Sequence, residues 1–251
     1  MAGHSKWAQI KRKKAAIDAK RGKLFTKLLR EIQVAARLGG GNPEANPRLR
    51  NAILAAKAGN VPADNIEKAI KRGTGDLEGV SYEETVYEGY GPGGVAILIK
   101  ALTDNKNRTV SEVRHILTKH GGSMGGANSV AYLFSEKAQF VVERKELKCT
   151  EEELFEKSIE SGAEDIEESE EVWIITGPLS SYEAIRSCLE SVGAKYEGSI
   201  VNVPSTTVKV GEKEAESLLR LIEALEELDD VKEVSANFEI EDEVMNKIAQ
   251  G

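Results

Sequence analysis

Residues 137–202 carry the clearest secondary-structure pattern, and they read KAQFVVERKELKCTEEELFEKSIESGAEDIEESEEVWIITGPLSSYEAIRSCLESVGAKYEGSIVN. Short apolar runs alternate here with amphipathic stretches, and their order predicts strand, helix, strand, strand, helix and strand. This β-α-β-β-α-β series is the split βαβ pattern of ferredoxin-like domains. We therefore expect residues 137–202 to form one ferredoxin-like domain.

A second series of the same kind lies on either side of this domain. Residues 93–134 predict strand, helix and strand, the last strand being 129–134, and residues 206–240 predict strand, helix and strand again. Insertion into a surface loop is tolerated because the ends of the inserted domain lie close together. The sequence thus predicts a discontinuous ferredoxin-like domain of residues 76–136 and 203–251, with the first domain inserted between its two parts.

Residues 1–75 are predicted to form a small helical domain. Helices are expected at about 6–18 and 20–38, and two shorter helices begin near Pro47 and Pro62. The whole chain is therefore expected to be an α+β multidomain protein, in which this N-terminal helical bundle is followed by the two ferredoxin-like domains.

Charge is distributed unevenly along the chain. The 251 residues carry a formal net charge of −8, but residues 1–75 hold 17 Lys and Arg against 5 Asp and Glu, whereas residues 76–251 hold 17 against 37. A basic head on an acidic body predicts a polyanionic partner for the head. The acidic body is suited to a protein partner instead.

The densest group of cations lies in residues 6–30, where Asp18 is the one acidic residue. Cations at this spacing on helices can neutralise several phosphates at once, and each contact releases counterions, so binding should weaken steeply with salt. The alternative is a solvated charged helix, which is what charge runs usually form. The candidate nucleic-acid-binding residues of this group are Lys6, Lys11, Arg12, Lys13, Lys14, Lys20, Arg21, Lys23 and Lys27, and Arg30 completes the run of cations.

A second group of candidate nucleic-acid-binding residues follows the buried strand of the 93–134 series. Lys106, Arg108 and Arg114 lie at the start of, and along, the predicted helix after that strand. The backbone N–H groups at the N-terminus of this helix could hold a phosphate. The alternative is ordinary capping of the helix by Asn or Asp.

No catalytic residue, metal site or cofactor is predicted. The chain contains no HExxH, CxxC or GxSxG pattern, and its glycine-rich stretches at 91–94 and 121–126 lack the spacing of phosphate-binding loops. The acidic run at 151–171 is typical of a solvated helix and loop. We therefore expect a protein that is not an enzyme.

The sequence also indicates where the protein works. No run approaches 18 consecutive apolar residues, so no segment is expected to span or enter a membrane. The basic N-terminus is not followed by the apolar stretch of a secretory signal. Cys149 and Cys188 share no metal-ligand spacing, which favours a reducing compartment and a cytoplasmic location.

Four segments carry a resemblance to a known family. They read MAGHSKW (1–7), IKRKKAAIDAKRGKLFTKLLREI (10–32), GGGNPEANPRLRNAILAAKAGNVPADNIEKAIKRGTG (39–75) and YEGYGPGGVAILIKALTDNKNRTVSEVRHILTKHGGSMG (87–125). On these segments the chain resembles the YebC/PmpR family, and the likeness extends over essentially the whole chain.

The resemblance implies a cytoplasmic protein of three domains that is not an enzyme and that regulates transcription by binding DNA. It also implies a second hypothesis, because related mitochondrial proteins are translational activators and some family members are linked to stalled ribosomes. The chain is therefore expected to be a DNA-binding transcriptional regulator. The alternative is a ribosome-associated translation factor that binds rRNA and relieves stalled translation.

Overall fold

The computed structural model describes residues 21–169, 172–241, 243, 244 and 248. The helix predicted at 6–18 lies outside these residues. Among them the chain forms two compact units. One unit consists of residues 134–205, and the other contains the described residues before and after that segment.

The described residues form helices first and then a mixture of helices and strands. In chain order the elements are α1 (Arg21–Gly39), α2 (Pro47–Ala58), α3 (Ala63–Thr74), β1 (Glu83–Tyr90), β2 (Ala96–Thr103), α4 (Lys106–Lys119), β3 (Ser123–Met124), β4 (Phe134–Glu143), α5 (Glu151–Glu160), β5 (Asp165–Glu168), β6 (Val172–Pro178), α6 (Tyr182–Ser191), β7 (Tyr196–Pro204), β8 (Val208–Lys209), α7 (Glu212–Glu226), β9 (Val231–Ala236) and β10 (Phe238–Glu239).

Local signals set the ends of the N-terminal helices. The side-chain oxygen of Asn46 accepts the N–H of Leu49 at 3.1 Å, which caps α2, and Pro47 occupies the first turn as predicted. The Nδ2 atom of Asn46 donates to the carbonyl of Ala35, so the cap also fixes the end of α1. Ile32 and Leu49 are fully buried in the core shared by α1, α2 and α3.

The 134–205 unit is one antiparallel sheet with two helices. Its strand order is β5-β6-β4-β7, and Phe134 at the start of β4 faces Pro204 at the end of β7. Alternate residues of β4 are buried, with Phe140 fully so, and they share a core with Leu154 of α5 and Ile185 of α6. Both helices therefore contribute to one core on the sheet.

The other unit contains a second antiparallel sheet, of order β3-β1-β2-β9. Strand β2 lies in the interior of this sheet, and its Ile97 and Ile99 are fully buried. Helices α4 and α7 contribute Val113 and Leu218 to the same core. The chain is thus a mixed α/β protein in which N-terminal helices precede two antiparallel sheets.

The strand predicted at 129–134 is wrong. Residues Ala131–Leu133 form a turn of 3₁₀ helix, and the strand after α4 is β3, which lies in the glycine-rich stretch and pairs with β1. The reason is a side chain: the buried carboxylate of Glu88 accepts the backbone N–H groups of Asn128 and Val130, both at 2.7 Å. These donors are therefore unavailable to a strand partner.

The strand predicted from residue 206 is shorter than expected, and it does not lie in the expected sheet. The two-residue β8 pairs in parallel with β10 rather than joining the sheet. Strand β1, which precedes β2 along the chain, lies beside β2 instead. No helix among the described residues is long and apolar enough to cross a membrane.

Candidate nucleic-acid interface

The predicted nucleic-acid-binding residues fall in three places. Arg21 is the first residue of α1, which also carries Lys23 and Lys27, while α4 carries the second group. The remaining predicted residues lie outside the described part of the chain, namely Lys6, Lys11, Arg12, Lys13, Lys14 and Lys20.

The two described lysines of the first group contact an acidic turn. We call residues 226–230, which read EELDD and join α7 to β9, the acidic turn. The Nζ atom of Lys27 donates to the carbonyl of Glu226 at 2.6 Å, and that of Lys23 donates to the carbonyl of Glu227 at 3.4 Å. Carbonyls at the C-terminal end of a helix lack intrahelical partners and carry partial negative charge. These lysines therefore complement the end of α7.

Arg30, one turn further along α1, reaches a buried carboxylate in the acidic turn. The Asp230 side chain is only 3% exposed, and it accepts from Arg30 Nη1 at 2.8 Å and from Arg108 Nη2 at 2.7 Å. The hydroxyls of Thr109 and Thr103 donate to it at 2.7 and 3.2 Å. One carboxylate of the acidic turn thus binds side chains of α1, β2 and α4.

The protonation state of Asp230 follows from these contacts. Burial raises the pKa of its carboxyl, but hydrogen bonds from Arg108 and Thr109 and the charges of Arg108 and Arg30 outweigh burial. The pKa of Asp230 therefore lies below its ordinary value of 3.8, and the group is ionised at neutral pH.

The second predicted group is partly engaged within the protein. Arg108 also donates to Asp104 at 2.7 Å, and its hydrogen bonds to Asp230 and Asp104 raise its pKa above the ordinary value. Lys106 forms an exposed ion pair with Glu83 at 2.6 Å. Arg114 is exposed and has no ion-pair partner among the described residues. Of this group, Arg114 is therefore the cation most accessible to a ligand.

The N-terminus of α4 carries an ordinary cap. The side-chain oxygen of Asn105 accepts the backbone N–H of Arg108 at 3.1 Å. A phosphate at this helix end would compete with that hydrogen bond. Phosphate binding by the α4 N-terminus stays a prediction.

A cleft of about 470 Å³ lies between α1, α4 and the acidic turn. Its charged lining residues are Lys23, Arg30, Asp104, Arg108, Glu112, Glu227, Asp229 and Asp230. Five of these eight are acidic, so the potential in the cleft does not favour a polyanion. The cations that line this cleft are therefore poorly suited to phosphate contacts.

Three further cations of the head are accessible. Lys57 in the last turn of α2, and Lys68 and Arg72 on α3, are exposed, and none has an ion-pair partner among the described residues. Their only sequence signal was the excess of basic residues in 1–75. They extend the accessible positive charge of the head beyond α1.

A second ionic network went unpredicted. Arg48 of α2 binds Glu31 of α1 through Nε at 2.8 Å and Glu84 of β1 through Nη2 at 2.6 Å, and Lys232 of β9 reaches Glu31 at 2.9 Å. Burial raises the pKa of Glu31, but the hydrogen bonds and charges of Arg48 and Lys232 outweigh burial and lower it. Together with Asp230, this network fixes the helices to the sheet.

Catalytic chemistry finds no support in the described residues. Within them, no three His, Cys, Asp or Glu side chains are placed to hold a metal ion. Burial, with the charge of Glu153, raises the pKa of the Cys149 thiol, whereas a nucleophilic cysteine requires a lowered pKa.

Comparison with known proteins gives a consistent result along the whole chain. The family description "TACO1/YebC protein N-terminal domain" matches residues 5–76, and "TACO1/YebC second and third domain" matches residues 82–238. A protein of Syntrophus aciditrophicus is 55% identical over 252 residues, and one of Aquifex aeolicus is 56% identical over 251 residues. Each alignment covers 99% of this chain and 100% of the relative, and both relatives are named "Probable transcriptional regulatory protein".

A solved structure shows the same fold. The crystal structure of a conserved hypothetical protein from Aquifex aeolicus superimposes with a TM-score of 0.84 at 53% sequence identity. The match covers 91% of this chain and 94% of that chain.

Proposed function

Because the chain belongs to the TACO1/YebC family, we propose that it is a DNA-binding regulator of transcription that acts in the cytoplasm through its basic helical head. The names of the relatives support a regulatory role, and none of those reported above describes an enzyme. We propose accordingly that the protein acts by binding and not by catalysis.

One observation carries the proposal, namely the separation of charge along the chain. Residues 1–75 hold 17 basic against 5 acidic residues, although the chain as a whole is acidic. Contacts to phosphate supply most of the affinity of non-specific nucleic-acid binding. A head of this charge binds a polyanion, which the acidic body as a whole repels.

The contacts of α1 divide the cations of the head into two classes. Lys23, Lys27 and Arg30 are occupied by the acidic turn, and they serve to hold α1. The proposed phosphate contacts come instead from the cations before α1, centred on 11–14, and from the exposed Lys57, Lys68, Arg72 and Arg114.

The proposed architecture has three domains, 1–75, 76–136 with 203–251, and 137–202. Strand order supports a ferredoxin-like assignment for the inserted domain, because β5-β6-β4-β7 places second, third, first and fourth strands side by side. In the discontinuous domain the order β3-β1-β2-β9 supports the same arrangement, with β1 taking the place of a third strand.

The test replaces Lys11, Arg12, Lys13 and Lys14 with Ala in the full chain and measures binding to duplex DNA between about 50 and 200 mM salt. A duplex contact contributes about 0.9 to the slope of log K against log salt, so the slope should fall by up to about three to four. The matched control removes four exposed lysines outside the head, at positions Lys145, Lys148, Lys209 and Lys213. An unchanged slope in the head variant, or an equal loss in the control, contradicts the proposal.

A second experiment identifies the nucleic acid. The protein is crosslinked in cells at physiological salt, and the attached nucleic acid is sequenced. Chromosomal DNA near promoters supports the regulator. Reads confined to a few rRNA positions would instead make the protein a ribosome-associated translation factor.

A further inference from the structure

The 134–205 unit carries a strong negative charge. It contains 17 Asp and Glu against 7 Lys and Arg. Nucleic acid is repelled by such a unit, whereas a basic protein segment is attracted to it. Charge alone does not select a binding surface, so the position of the exposed apolar side chains is decisive.

Helix α5 exposes two large apolar side chains one turn apart. Phe155 is 48% exposed and Ile159 is 46% exposed, while Leu154 and Ser158 of the same helix are buried in the unit. Residues four apart lie on the same face of a helix, so Phe155 and Ile159 form a continuous apolar strip. Leu154 already supplies the contact of α5 with the core, and the strip lies beside that contact, open to solvent.

Glutamates border this strip. Glu152 and Glu156 each lie three residues before one of the apolar side chains, and Glu160 follows directly after Ile159. All three are exposed, and none has an ion-pair partner among the described residues. By contrast, Glu151 and Glu153 are bound by Arg144 and Lys157. The glutamates that border the strip are therefore the ones whose charge is available to a partner.

We propose that this surface, the α5 strip of Glu152, Phe155, Glu156, Ile159 and Glu160, is the docking site for a basic amphipathic segment of a protein partner. Apolar side chains of the segment cover Phe155 and Ile159, which form the centre of the contact. Lysines and arginines of the segment pair with the bordering glutamates. The site belongs to the acidic unit and is independent of nucleic-acid binding by the head.

The test measures fluorescence anisotropy of a labelled 18-residue peptide of Leu and Lys, patterned as an amphipathic helix, on addition of the full chain. A peptide with Ala in place of each Leu has the same charge and serves as the reference. We expect the Leu-containing peptide to bind at least tenfold more tightly, and the Phe155→Ala/Ile159→Ala variant to lose that advantage. Because both side chains are exposed, the variant should fold, which circular dichroism checks.

The matched control is Leu179→Ala/Ile200→Ala, which removes two exposed apolar side chains elsewhere in the same unit. It should leave the affinity unchanged, whereas Glu152→Gln/Glu156→Gln/Glu160→Gln should weaken binding and reduce its dependence on salt. Equal affinity for the two peptides, or an equal loss in the control variant, would overturn the proposal. Either result leaves DNA binding by the head intact, so the two proposals fail separately.

Discussion

Replacing Asp230 with Asn removes the negative charge that Arg30 and Arg108 share. The side chains of Asp230 and Arg30 are 3% and 13% exposed, so water cannot replace the lost partner of Arg30. Removing one partner of a buried ion pair costs about 3–5 kcal/mol. Asparagine keeps the shape and one acceptor oxygen, and we therefore expect a loss of about 3 kcal/mol in the free energy of unfolding. For a protein of this size, the midpoint temperature of thermal unfolding should fall by about 6–12 °C.

The loss is measured by urea denaturation followed by far-ultraviolet circular dichroism, with calorimetry to separate the transitions of the two units. The matched control is Asp229→Asn, the neighbouring residue in the acidic turn. The Asp229 side chain is 63% exposed and lies 4.0 Å from Lys23, so its removal should cost less than about 1 kcal/mol. Equal stabilities of the two variants would refute the role given to the buried carboxylate.

The Asp230→Asn variant also tests how the stability of the protein depends on pH. The pKa of Asp230 is lowered in the folded protein, so its stabilising contribution is complete above the unfolded value near 3.8. The contribution is lost as the pH falls through the lower, folded pKa. The difference in stability between wild type and Asp230→Asn should therefore be constant from pH 7 to about 5 and shrink below pH 3.8. A difference that persists undiminished at the lowest pH would contradict the assignment.

Two further substitutions test single hydrogen-bonded positions. Glu88→Gln replaces one carboxylate oxygen by an N–H donor, which then faces a backbone N–H of the 128–131 segment. We therefore expect the free energy of unfolding to fall by about 1–3 kcal/mol and hydrogen exchange in that segment to become faster. Unchanged exchange there would contradict the capping role. Asn46→Ala removes the cap of α2 and the bond to the Ala35 carbonyl, and should cost about 1–2 kcal/mol in urea denaturation. The same change at the exposed Asn65 of α3 should cost little.

Where a signal is local, the sequence was sufficient. Pro47 marks the start of α2 because its ring suits the first helical turn, and the Asn or Asp cap that was the alternative for the helix after β2 is Asn105. The alternation that buries Ala138, Phe140 and Val142 likewise defines β4 within a few residues. Each of these features depends on residues that are close together in the sequence.

Long-range contacts explain what the sequence did not reveal. The turn at 131–133 is set by Glu88, about forty residues earlier, so its apolar composition alone suggested a strand. Arg30 and Asp230 are 200 residues apart, and the acidic turn looked like part of a uniformly acidic body. Charge counting identified the excess of basic residues in 1–75, but it could not separate the cations that hold the fold together from those that are accessible.

The pairing of Phe134 with Pro204 has a consequence for how such a chain could have arisen. Partners in an antiparallel ladder have Cα atoms about 5 Å apart, so the two ends of the 134–205 segment leave it through one narrow neck. A gene segment encoding that stretch can be gained, lost or exchanged as a cassette, because a few residues suffice to rejoin the flanking chain. Recombination at these two positions can alter the acidic 134–205 unit and leave the sequence of the basic head unchanged.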